Sequence, residues 1–229
     1  MTTTLQTHDP AVIADRRSSA KGRRSIGWRH LLFAGVPAAW AAVAMLHPAG
    51  EGSLYGELHD QVGTWISLHL AQLVLSVGLA AALWQVVGHR HDPAAKLTKL
   101  ALPVYLAFFG AFDAVAGLST GLTVHHANSL DGAEQAGAAS TADYLMNNHI
   151  ASNASPVAGV ATAALVIAVA GTATCLRRAG APRSAWALTF GGVLLATHAG
   201  PGAVLGLAML AFGLLAADRG GYTRTSAHS

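Results

Sequence analysis

The stretch His59–Ser76, HDQVGTWISLHLAQLVLS, decides the reading of this chain. It begins polar, turns apolar at Val62 and carries His69 about two turns into the apolar run. His69, Gln72 and Ser76 stand at i, i+3 and i+7, so a helix places all three on one face. The apolar run continues to residue 87, which is long enough to cross a bilayer core of about 30 Å. A polar stripe on such a helix must turn toward other helices or a water-filled cavity.

Composition points the same way. The 229 residues are 52% hydrophobic and only 11% charged, whereas soluble domains carry about twice that charged fraction. Further apolar spans lie at about 31–47, 99–124, 155–176, 184–199 and 202–217. The last two are separated by Gly200-Pro201-Gly202, which reads as a tight turn making a hairpin, with one kinked helix as the alternative. The expected fold is an all-α polytopic membrane protein of about six transmembrane helices. Residues 1–29 form a disordered basic arm, 30–218 one transmembrane domain and 219–229 a short tail. The first span resembles a signal peptide ending in Pro48-Ala49-Gly50, but no cleavage box follows, so a retained helix is expected.

Charge gives orientation. Basic residues sit in the N-terminal arm, at Arg90/Lys96/Lys99, at Arg177/Arg178/Arg183 and at Arg219/Arg224. The two long intervening loops, 48–62 and 125–153, hold Glu51, Glu57, Asp60, Asp131, Glu134 and Asp143 with no Lys or Arg. The positive-inside rule then puts both termini in the cytoplasm of a plasma-membrane protein; five spans would leave the basic tail outside. The basic residues flank spans instead of forming a patch, so the net charge of +3 does not imply nucleic acid. The lone Cys175 excludes an intrachain disulfide and a CxxC redox pair.

With that topology the twelve histidines sort by side. His8, His30, His89, His91 and His228 fall at the basic side, and His47, His59, His69, His125, His126, His149 and His198 near the opposite one. All three outward-running helices end near a histidine, and converging ends would form one outward-facing pocket. Imidazole suits zinc, copper or haem iron. The expected ligands, in order, are His69, His198, His149, His125 and His47. Structural histidines at the membrane interface are the plainer alternative. Haem is the weaker cofactor reading because His69 has no mid-span partner in the sequence.

Asp113 lies mid-span in FFGAFDAVAGLSTG, where a carboxylate is costly and functional by default. It is expected to act as acid/base, proton carrier or orienting partner of a histidine. Gly110, Gly117 and Thr120 share its face and let a neighbouring helix approach. Gln72, Ser76 and Asn153 are expected to contact substrate or line a pore. The segment around 129–143 reads as a flexible connection or a mobile lid, rich in Gly, Ala and Ser. Trp40, Tyr55, Trp65, Trp84, Tyr105, Tyr144 and Trp186 read as interfacial anchors.

Two resemblances are partial. Gly117-Leu118-Ser119-Thr120-Gly121 has the letters G-x-S-x-G, and Ser119 with His198 is similar to the serine and histidine of rhomboid-type intramembrane proteases. In that family the serine opens its helix from the outer side, whereas Ser119 sits near the outer end of an outward-running helix, so small-residue packing explains the motif. A histidine on the second span, an aspartate on the third and a late histidine resemble membrane zinc hydrolases of the ceramidase and progestin-receptor kind. The late H-x-x-x-H pair and a seventh helix are missing, and the likeness covers isolated positions only. Function is therefore expected to be a metal-dependent membrane enzyme on a lipid-like or small apolar substrate. The alternative is a transporter, channel or accessory subunit using Asp113 and the His69/Gln72/Ser76 face.

Overall fold

The computed structural model describes residues 27–48, 53–152, 154–196 and 200–223, and these are helical with no strand among them. Helix α1 runs from Trp28–His30 through a π-helical turn, Leu31–Gly35, into Val36–Met45. A short α2, Leu54–Leu58, precedes α3, Val62–Val87. Helix α4 comprises Pro93–Asp113, a π-helical turn Ala114–Ser119 and Thr120–Ala127. Then come α5, Gly132–Asn147, and α6, Pro156–Arg178. Helix α7 joins a 3₁₀ turn, Arg183–Trp186, to Ala187–Leu195, and α8 is Gly200–Arg219.

Among the described residues, four helices are long and apolar enough to cross a membrane: α3, α4, α6 and α8. The α-helical part of α7 has 9 residues, about 14 Å of rise, which is less than half a bilayer core. Val74, Val77, Leu100, Leu122 and Phe212 are exposed on these helices, as a lipid-facing surface requires.

The starts of α4 and α6 follow capping chemistry. Asp92 accepts from the Ala94 and Ala95 N–H groups, with Pro93 in the first turn. Ser155 accepts from Ala158 N–H, with Pro156 following. Glycines set the close approaches. A Cβ at Gly191 would come within 2.6 Å of the Gly206 carbonyl, and one at Gly213 within 2.8 Å of Leu188. These contacts pair α7 and α8 antiparallel, as a hairpin. Gly200-Pro201-Gly202, read from the sequence as the turn, is instead the start of α8. Gly200 has φ +75° and begins α8, so Pro201 and Gly202 belong to the helix's first turn.

The segment read as a flexible connection or lid is the 16-residue helix α5. Its alanines favour helix, and it is tied down. Leu54 N–H donates to Asp143 Oδ1 (3.1 Å), and Gln135 donates to the Tyr55 hydroxyl and the Ala127 carbonyl.

The opposite, basic end is held by charged hydrogen bonds. Arg29 pairs with Asp218 at 3.1 Å and donates to Thr223, whose hydroxyl donates to Asp218. Arg90 donates to the Cys175 and Tyr222 carbonyls, and Lys99 to those of Gly88 and Arg90.

Candidate functional site

The site is built around the π-helical turn that follows Asp113. The hydroxyls of Ser119 and Thr120 donate to the carbonyls of Ala114 and Val115, five residues back, at 3.0 Å each. Such turns concentrate at functional sites. Within it, the Gly117 carbonyl accepts from Trp65 Nε1 on α3 at 2.8 Å. Gly117 has no side chain, and the His69 imidazole fills that space: a Cβ at Gly117 would overlap the ring. Gly121, one turn on, leaves room for Trp65 and Ile66. The small residues of the G-x-S-x-G run thus seat α3 against α4, while Ser119 is occupied within its own helix.

His69 Nδ1 lies 2.7 Å from Asp113 Oδ1, with both residues buried at 1% and 0% exposure. Burying the pair is tolerable only because each partner supplies the other's charge or hydrogen bond. His47, just past α1, joins them. Its ring lies 5.4 Å from that of His69, in edge contact, and 4.8 Å from Trp65, whose ring lies 4.5 Å from His69. His47 Nδ1 sits 2.9 Å from the Pro48 carbonyl, which can only accept, so Nδ1 carries the proton. With Asp113 ionised the same holds for His69. In each neutral ring the lone pair then lies on Nε2, and both Nε2 atoms are buried. The edge contact leaves no gap for a porphyrin plane between the two rings.

Gln72 is fully buried one turn along α3 from His69, and neither end of its carboxamide has a hydrogen-bond partner. Ser76, also buried, donates to Leu73 O of its own helix at 2.7 Å. Asp113 Oδ2 is likewise unpartnered. The structure therefore brings together His47, His69, Asp113 and Gln72. His125 and His149 are exposed side chains. Among the described residues no group of three or more His, Cys, Asp and Glu could hold a metal ion. His198 and Asn153 lie outside the described residues.

An apolar groove of about 810 Å³ lies between α1 and α8, lined by Met45, His47, Pro201, Val204 and Leu205. Gly200, two residues after His198 in the chain, lines it too.

Three of the aromatics read as interfacial anchors are core residues instead. Trp40, Trp65 and Tyr105 are only 2–3% exposed, whereas Trp84, Tyr144 and Trp186 are exposed. Trp65 stands four residues before His69, and Tyr105, Phe109 and Phe112 lead up to Asp113 at helical spacing. That periodicity was the available signal. No family model, curated protein or solved structure matches the chain.

Proposed function

We propose that this protein spans the membrane six times with both termini cytoplasmic, carries a zinc- or copper-class metal centre on His47 and His69 and acts as an enzyme on a lipid-like substrate. Asp113 is the carboxylate that orients His69, and His198 is the third donor. The observation that carries this reading is the pair of held Nδ1 atoms, His47 on Pro48 and His69 on Asp113. Metal-binding histidines characteristically give their other N–H to a carbonyl or carboxylate, which fixes ring and tautomer. Two imidazoles bound through Nε2 to one tetrahedral zinc have centroids about 5 Å apart, close to the 5.4 Å found here. The groove that His47 helps to line supports lateral access for a lipid-like substrate, and its volume lies in the range of ligand pockets. The basic residues gathered at one end support the orientation. Metal analysis of detergent-purified protein, with His47→Ala and His69→Ala alongside, tests the centre. Stoichiometric metal lost in both variants is expected; metal-free, folded wild type would end this reading.

A second reading has its own observation. The unpartnered Gln72 carboxamide and Asp113 Oδ2 beside a buried His–Asp pair suit a proton or solute path. Metal-free protein with pH-dependent flux in vesicles, abolished by Asp113→Asn, would favour it.

A further inference from the structure

Cations gather where α3 gives way to α4. Lys99 of α4 reaches across to the end of α3 and donates to the carbonyls of Gly88 at 2.8 Å and Arg90 at 2.7 Å. Its ammonium lies 5.9 Å from the centroid of the Trp84 ring. A Cβ at Gly88 would meet Trp84 Nε1 at 3.1 Å, so the indole donor stands at the same corner. An ammonium has three N–H donors, and the two carbonyls take two of them. Among the described residues, none of Arg90, Lys96 and Lys99 pairs with a carboxylate. Asp92, the acid of this connection, is taken by the start of α4 and by Arg178 at 3.2 Å. His89 and His91 are exposed beside it. Partial desolvation, and then the positive charges of Arg90, Lys99, Arg29 and His91, push the His89 imidazole below its ordinary pKa. This is a cationic corner whose counter-charge the described residues do not supply.

The surface next to it is apolar. Leu100 and Val104 follow the exposed Lys96 at i+4 and i+8 on α4, and Val77 precedes Trp84 by two turns on α3. All three are exposed, as is Trp84. Cationic heads on apolar stems, beside an exposed tryptophan, match the boundary between headgroups and acyl chains. We propose that this corner binds the headgroup phosphate of an anionic phospholipid through Lys96, Lys99 and Trp84, with acyl chains against Leu100, Val104 and Val77. Basic pockets between membrane helices hold anionic headgroups in this way. A zwitterionic lipid would place its own ammonium among these cations, and a free phosphate would leave the apolar residues unused. The corner stands about 22 Å along α3 from His69, so the site does not depend on a bound metal.

Native mass spectrometry of the full-length protein tests it. Detergent-purified protein receives equal amounts of phosphatidylglycerol and phosphatidylcholine, and the lipid retained by each molecule is counted. The wild type is expected to keep phosphatidylglycerol in clear excess. Each lysine near the surface contributes about fivefold, so Lys96→Gln together with Lys99→Gln should lower that preference at least about tenfold. Arg183→Gln together with Arg219→Gln removes the same charge elsewhere at the basic end and should leave the preference in place. Lys96→Gln alone, at an exposed side chain, decides the matter if the double variant does not fold. Inorganic phosphate in large excess should not displace the lipid. A wild type without preference, a preference that survives the lysine substitutions, equal losses in the two charge-matched pairs, or displacement by inorganic phosphate would each overturn the proposal.

Discussion

Substituting Gly117 by alanine tests how the site is seated. The added methyl group would occupy the space of the His69 ring. His69 would have to rotate away, because the other side of the contact is helix backbone. Overpacking of this kind costs about 1–3 kcal/mol. Losing a charged hydrogen bond to Asp113 adds about 1.5–3 kcal/mol. Alanine returns up to about 1 kcal/mol over glycine in a helix. The net loss is about 2–4 kcal/mol, or about 5–15 °C in thermal midpoint for a chain of this size. Circular dichroism melts in detergent measure it. The discriminating step repeats the substitution in a His69→Ala background, where the ring is gone and Gly117→Ala should be neutral or stabilising. An unchanged midpoint in the wild-type background would refute the reasoning, as would equal losses in both backgrounds.

Three other outcomes follow from the geometry. Asp113→Asn keeps the shape but weakens the acceptor for His69, and should lower metal affinity by about 10–100-fold, read by competition with a chromophoric chelator. At the basic end, Asp218→Asn leaves Arg29 and Thr223 without their anionic partner; a loss of about 1–3 kcal/mol is expected in the same melts, smaller at high salt. Burial pushes the Asp92 carboxyl up, but the Ala95 N–H, the Cys175 thiol, the Ala94 N–H and the Arg178 charge together hold it below its ordinary value. A depressed carboxyl stabilises the fold above its unfolded pKa and loses that contribution as pH falls through the folded value. Asp92→Ala should therefore cost about 0.5–2 kcal/mol at neutral pH, and the difference from wild type should shrink below about pH 4.

Much of the architecture was legible because membrane helices declare themselves by length and composition. The His69/Gln72/Ser76 stripe is buried, as its spacing on an apolar helix required. Asp113 meets His69, a pairing that the cost of a mid-span carboxylate made reasonable. The π-helical turn, in which Ser119 and Thr120 reach carbonyls five residues back, was not legible, since apolar periodicity does not separate it from an α-helix. Without it, Gly117 reads only as a packing residue, although its carbonyl and its empty Cβ position organise Trp65 and His69. The aromatics misled because Trp and Tyr serve both the interface and the core, and only the neighbouring helices decide which. His125, on α4, and His149, in the turn between α5 and α6, are exposed, which a residue count does not show.

X-ray absorption at the metal edge of the zinc-loaded, full-length protein tests the central claim most directly. Two or three imidazole nitrogens at about 2.0–2.1 Å from the metal are expected, and at least one fewer in His47→Ala and in His69→Ala. A protein that retains no zinc after desalting, or a spectrum of oxygen ligands unchanged in both variants, would contradict it.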